Sequence, residues 1–245
     1  MGTTRQRPRQ QRSGECVYCG AIGPITDDHV PPRSFFPAKA PKNLITVPSC
    51  AACNQGFAAD DDYARLLLTT TEGAIGNPAR DELKAKVERF AVRRESARSL
   101  ESFYATLRTA YLPSESGILL RRQGFVIDRK RLDAFAVRVT KALFYREKGY
   151  RLPDHYAVNA IHHSLVAELI QHLGESADFL RLMISELNHS PLRSWGDAFA
   201  YAWVPSPNGA ERTWWMLHFY GNPLFLCWTK PKGQEAPHTE QISAP

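Results

Sequence analysis

Cys16-Val17-Tyr18-Cys19 and Cys50-Ala51-Ala52-Cys53 bracket the stretch Asp27-Asp28-His29-Val30-Pro31-Pro32, with Asn43-Leu44 inside the bracket and Asn54 directly after it. Two Cys-x-x-Cys pairs supply four soft thiolates, the ligand set of a closed tetrahedral zinc site. Zinc in such a site is structural, because no coordination position stays open for a substrate. A short segment with little apolar core gains folding energy from the ion, and the two pairs tie its ends together. The Asp28-His29 step suits other work. A carboxylate offers hard oxygen to a divalent cation, and an imidazole takes a proton from water near neutral pH.

The chain has 245 residues, 43% hydrophobic and 23% charged, which is ordinary for a globular protein. No apolar run approaches the roughly 20 residues of a membrane span, so no membrane association is expected. The first residues carry Arg5, Arg7, Arg9 and Arg12 with no apolar stretch behind them, unlike a secretory signal. A reducing, cytoplasmic setting is expected, with thiols available for metal. Cys227, in Leu224-Phe225-Leu226-Cys227-Trp228, reads as a buried structural cysteine. The net charge of +6 admits a polyanionic partner. Basic residues concentrate in the N-terminal arm and again from Arg121 to Arg151, where a phosphate-contacting surface and a solvated helix face are equal readings.

Composition divides the chain into a disordered basic arm over 1–14, a compact module over 15–63, an accessory part over 64–232 and a flexible tail over 233–245. Pro31, Pro32, Pro37, Pro41 and Pro48 exclude a long helix in the module. A short strand is expected at 44–47, and Asp60 is expected to cap a helix from about 61. In the accessory part, helices are expected over 80–94, 128–149, 163–173 and 177–187. The second of these has Asp128 at its start, Gly149 at its end and an apolar stripe through Leu132, Phe135, Val139 and Leu143. Short strands suggest themselves at 118–120 and 125–127. Aromatic runs at 199–204, 213–220 and 225–229 predict a three-stranded antiparallel sheet, with Trp203, Trp214, Trp215 and Trp228 read as its core ahead of the alternative, stacking surfaces for an extruded base. The fold class expected is α+β. His155, His162 and His163 lack a paired ligand pattern and read as structural.

Cutting a phosphodiester bond requires a nucleophile made from water, neutralised phosphate charge and a stabilised leaving oxygen. One Mg²⁺ or Mn²⁺ can supply the last two from one or two protein oxygens. Asp28 and the side-chain oxygen of Asn54 suit it, and His29 suits the water. Neighbours on a strand face opposite ways, so these opposed roles need a bend, for which Pro31-Pro32 is placed.

The order Cys-x-x-Cys, Asp-His-x-x-Pro, Asn-Leu, Cys-x-x-Cys-Asn resembles the HNH endonucleases with a zinc-ribbon frame, over residues 15–63. The resemblance implies a ββα-metal module that hydrolyses DNA with a divalent ion. It makes His29 the general base, Asp28 the first ligand of the catalytic ion, and Asn54 a second ligand at the start of a helix. Asn43 becomes the middle asparagine that orients the loop and the histidine. Cys16, Cys19, Cys50 and Cys53 become the structural zinc ligands. Many relatives carry Lys or His three or four residues beyond the last motif position, where this chain has Phe57 and Ala58. Arg33 and Lys42 are the candidates to replace that phosphate contact. The rival reading is a catalytically inactive zinc module that binds nucleic acid or acts as a scaffold.

Overall fold

The computed structural model describes residues 12–91, 101, 104–114, 116–206, 209 and 211–233. Strands β1 (Arg12–Glu15), β2 (Ile22–His29) and β3 (Thr46–Cys50) form an antiparallel sheet in that order. The basic arm thus ends earlier than expected, since Arg12, Ser13 and Gly14 pair with Ile25, Pro24 and Gly23. Arg-Ser-Gly-Glu contains no strong β-former. It is a strand because β2 offers an edge, and because Arg12 forms an ion pair with Asp27. Residues 1–11 of the arm lie outside the described residues.

Helix α1 (Ala51–Gly56) follows β3 directly, and α2 (Ala58–Thr70) follows after a break at Phe57. The helix expected from about 61 therefore begins earlier. Asp60 and Asp61 lie in its first turn, where the helix dipole favours carboxylates, and neither caps it. Helix α3 (Pro78–Ala91) starts after Asn77, whose Oδ1 accepts from the Arg80 N–H at 3.1 Å. A two-stranded ribbon comes next, β4 (Leu107–Pro113) with β5 (Leu119–Phe125). Helix α4 (Arg129–Lys148) has the expected ends: Asp128 Oδ1 accepts from Arg131 N–H, and Gly149 at φ 78° stops it in a conformation that favours glycine.

The C-terminal sheet has five antiparallel strands where three were expected. They are β6 (Tyr156–His162), β7 (Arg193–Trp195), β8 (Phe199–Pro205), β9 (Thr213–Phe219) and β10 (Asn222–Pro231), ordered β6-β10-β9-β8-β7. The unexpected strands are the two edges. Along β9, Trp215, Leu217 and Phe219 face one core while Trp214 and Met216 face a second, the period-two alternation of a sheet covered on both sides. Helices α5 (Val166–Leu173) and α6 (Asp178–His189) cover the second face. Of the five tryptophans, Trp195, Trp214, Trp215 and Trp228 are buried, and Trp203 stacks on Trp215 at 5.3 Å.

The first core does not stop at residue 63. Val17, Phe35, Ile45 and Val47 from the N-terminal part join Phe135 and Val139 of α4 and Phe219 and Phe225 of the sheet. Phe35 stacks on Phe135 at 5.1 Å and tilts against Phe219 at 5.6 Å. Helix α2 runs through the expected boundary between module and accessory part. Among the described residues, no helix is long and apolar enough to cross a membrane.

Candidate metal centre

The turn between β1 and β2 carries Cys16 and Cys19, and the step from β3 into α1 carries Cys50 and Cys53. Gly20 closes the first turn at φ 74°, with its N–H donating to the Cys16 carbonyl at 2.9 Å. That backbone conformation favours glycine, and the Arg151 guanidinium lies close over the position, 2.9 Å from where a Cβ would stand. The Cys53 N–H points at Cys50 Sγ. All four sulfurs lie within 4.8 Å of one another, and none is in a disulfide. Cys19 and Cys50 Sγ are 3.9 Å apart. A tetrahedron with Zn–S bonds of ~2.3 Å has edges of about 3.8 Å, so the donor set fits zinc in chemistry and size. Burial pushes the Cys16 thiol up, but the main-chain N–H groups of Cys50, Cys19 and Tyr18 outweigh it and bring it down to about 6. Cys53 moves the other way, raised by burial and by the neighbouring thiols. Cys227 stands apart, buried in the main core and pushed up to about 12 by that burial.

Thr26 and Asp28 share one face of β2, about 7 Å apart at strand spacing. Asn54 of α1 reaches the same face and donates to Thr26 Oγ1 at 3.2 Å. Asp28 and Asn54, the two residues expected to hold a divalent ion, thus both neighbour Thr26. Asp28 is only 7% exposed, and its Oδ2 is engaged: Tyr18 O–H donates at 2.6 Å and Arg138 Nη1 at 3.3 Å. The other nitrogen of the same guanidinium pairs with Asp61 of α2. Arg138, 4% exposed, lies over the Phe57 ring at 4.8 Å. Phe57 also meets Tyr18 edge-on at 5.0 Å. The position that departs from the HNH pattern thus packs a buried cation.

Two carboxylates share one guanidinium here, so the cluster has one negative charge in excess. Burial raises the Asp61 carboxyl to about 6; Arg138 opposes this and the Asp28 charge adds to it. Its folded value lies above the unfolded value near ~3.9. Its contribution to stability is therefore present below that value and lost as pH rises through about 6. Asp61→Asn stays neutral, and should gain on the wild type by about 2–3 kcal/mol between pH ~4 and ~7.5. Denaturant unfolding without added divalent ion measures this. A difference that stays flat across the window would mean Arg138 alone neutralises the cluster.

His29 ends β2, pairs with Thr46, and by alternation faces away from Asp28. It is half-buried, and the chain turns at Val30, whose N–H donates to the Ile45 carbonyl at 2.9 Å. Asn43 is exposed, and its main-chain carbonyl accepts from Trp195 Nε1 at 2.9 Å, tying the loop to the C-terminal sheet. Arg33 and Lys42 are exposed. The three aspartates after Phe57 each pair with an arginine: Asp60 with Arg131, Asp61 with Arg138, Asp62 with Arg65. Tyr18 and Arg138 were missed as neighbours of Asp28. Tyr18 sits inside the first Cys-x-x-Cys pair, so its proximity was readable, whereas Arg138 has no local signal. A scan against protein-family models finds no match to this chain, and neither does a search of curated proteins or of solved structures.

Proposed function

We propose that this protein is a zinc-stapled endonuclease of HNH type that hydrolyses DNA phosphodiester bonds with a divalent ion. One observation carries the reading: Asp28 and Asn54 share a face, and each keeps one side-chain oxygen unbonded among the described residues. Asp28 uses Oδ2 and leaves Oδ1. Asn54 uses its amide nitrogen and leaves its oxygen. The cysteine frame fixes both, one on a strand and one on the helix that leaves it. Mg²⁺ or Mn²⁺ bound there would supply charge for the phosphate and the leaving oxygen. Tyr18 and Arg138 hold the Asp28 carboxylate in one orientation. His29, at the end of the strand, takes the proton of the attacking water, and Arg33 and Lys42 are exposed for phosphate contact.

The inactive-module reading has its own support, since Arg138 already gives Asp28 a counter-cation inside the fold. Incubation of supercoiled plasmid with the zinc-loaded protein and Mg²⁺ or Mn²⁺ decides between them. Nicking that needs the added ion is expected. Asp28→Ala or Asn54→Ala should cut more slowly and recover in part as the ion concentration is raised, because the loss is mainly one of ion affinity. No cleavage of any nucleic acid with either ion would leave the inactive reading standing.

A further inference from the structure

The β4–β5 ribbon stands out from the rest of the fold. Its seven paired positions, at about 3.3 Å each, make an arm roughly 20 Å long. Among the described residues, its ties to the fold lie at its root. Phe125 packs at the margin of the main core, Val126 N–H bonds the Thr106 carbonyl, and Asp128 N–H bonds Tyr63 Oη at 2.7 Å. Tyr63 lies on α2, two residues beyond Asp61, whose carboxylate pairs with Arg138. An isolated two-stranded ribbon is marginal in water, so a partner surface would complete it.

The chemistry of the ribbon points to the partner. Its paired positions contain Arg108, Arg121 and Arg122 and no acidic residue. Elsewhere Arg65, Arg80, Arg131, Arg138 and Arg151 are each held by a carboxylate. Arg121 and Arg122 have no ion-pair partner among the described residues, and being adjacent they point to opposite faces. Tyr111, directly across from Arg121, is 63% exposed. The major groove of B-form DNA, about 12 Å wide, admits a two-stranded ribbon, and one cation on each face reaches the phosphates of both walls.

We infer that the β4–β5 ribbon is a DNA-binding arm that lies in the major groove of a duplex, with Arg121 and Arg122 on the two flanking backbones. The inference rests on the reading that the chain acts on DNA, though not on its cutting it. The experiment therefore measures binding alone, using the zinc-loaded full chain with His29→Ala and no added divalent ion. Affinity for a short mixed-sequence duplex is followed by fluorescence anisotropy across salt. Arg121→Ala with Arg122→Ala should weaken binding on the order of tenfold and lower the log–log salt slope by about two. The lysine pair at the same positions should restore most of both. Equal affinity and slope in the alanine pair would overturn the inference, as would absence of duplex binding. A dimer that Leu119→Asp converts to monomer would also overturn it, since the ribbon would then belong to a second copy. Duplex binding that depends on the ribbon, together with no cleavage by the wild-type protein in Mg²⁺ or Mn²⁺, would sink the nuclease reading and leave the arm in place.

Discussion

Replacing Cys50 by Ser should strip the zinc and loosen the whole N-terminal sheet. The serine hydroxyl is a poor zinc ligand, and three thiolates leave an open site. Structural zinc contributes ~10–16 kcal/mol of apparent binding energy in small zinc modules. Forfeiting even a third of that, about 3–5 kcal/mol, is a large share of the roughly 5–15 kcal/mol that keeps a domain folded. Cys50 is also the N-cap of α1, accepting from Cys53 N–H, and serine can keep that role, so the loss is that of the ion and not of the cap. Metal analysis should fall from about one zinc per chain to near none. Amide exchange should accelerate across β1, β2, β3 and α1. The loosening should reach α4 through Phe35 and Phe135, and should be least in the second core under α5 and α6. Wild-type protein that is folded, metal-free and equally protected would end the zinc assignment.

His29→Ala should lower cleavage by roughly a hundred to ten thousand fold, the usual cost of losing a general base. The imidazole is half-buried and forms neither the zinc site nor the Asp28 cluster, so zinc content, unfolding midpoint and DNA affinity should stay near wild type. More Mn²⁺ should not recover the rate, in contrast to Asp28→Ala, because the deficit is in proton transfer. Added imidazole should restore a small part by filling the vacated place. A variant that cuts at the wild-type rate would remove His29 from the chemistry.

What could be read in the sequence was what neighbours in sequence decide. Four thiols declare a metal site by spacing alone. Helix α4 declares itself through the Asp128 cap, the apolar stripe and Gly149. Strand β1 could not be read, because Arg-Ser-Gly-Glu becomes a strand only when β2 lies beside it. Strand β6 was hidden similarly. Tyr-Ala-Val-Asn-Ala-Ile-His is weakly patterned, and its pairing with β10 makes it a sheet edge. At the candidate site, the positions of Asp28 and Asn54 were legible, since both hang on the cysteine frame. The engagement of Asp28 was not. Its cation comes from Arg138, 110 residues away, and no periodicity encodes a contact of that range. The aspartate run Asp60-Asp61-Asp62 looked like a helix cap. In the fold its side chains receive three arginines, two of them from α4.

The continuous core has a consequence for how the chain is made. All four zinc ligands have left the ribosome once residue 53 and the tunnel length behind it are synthesised. Phe219 and Phe225, against which Phe35 and Phe135 pack, follow by more than 160 residues. At ~5–20 residues per second, the nascent zinc-bound segment waits on the order of ten to thirty seconds with that apolar face uncovered. Metal capture comes early and burial comes late, so chaperone dependence and aggregation during synthesis should concentrate in this interval. Ribosome-stalled chains ending near residue 120 should hold zinc yet bind a hydrophobic dye that the finished protein excludes.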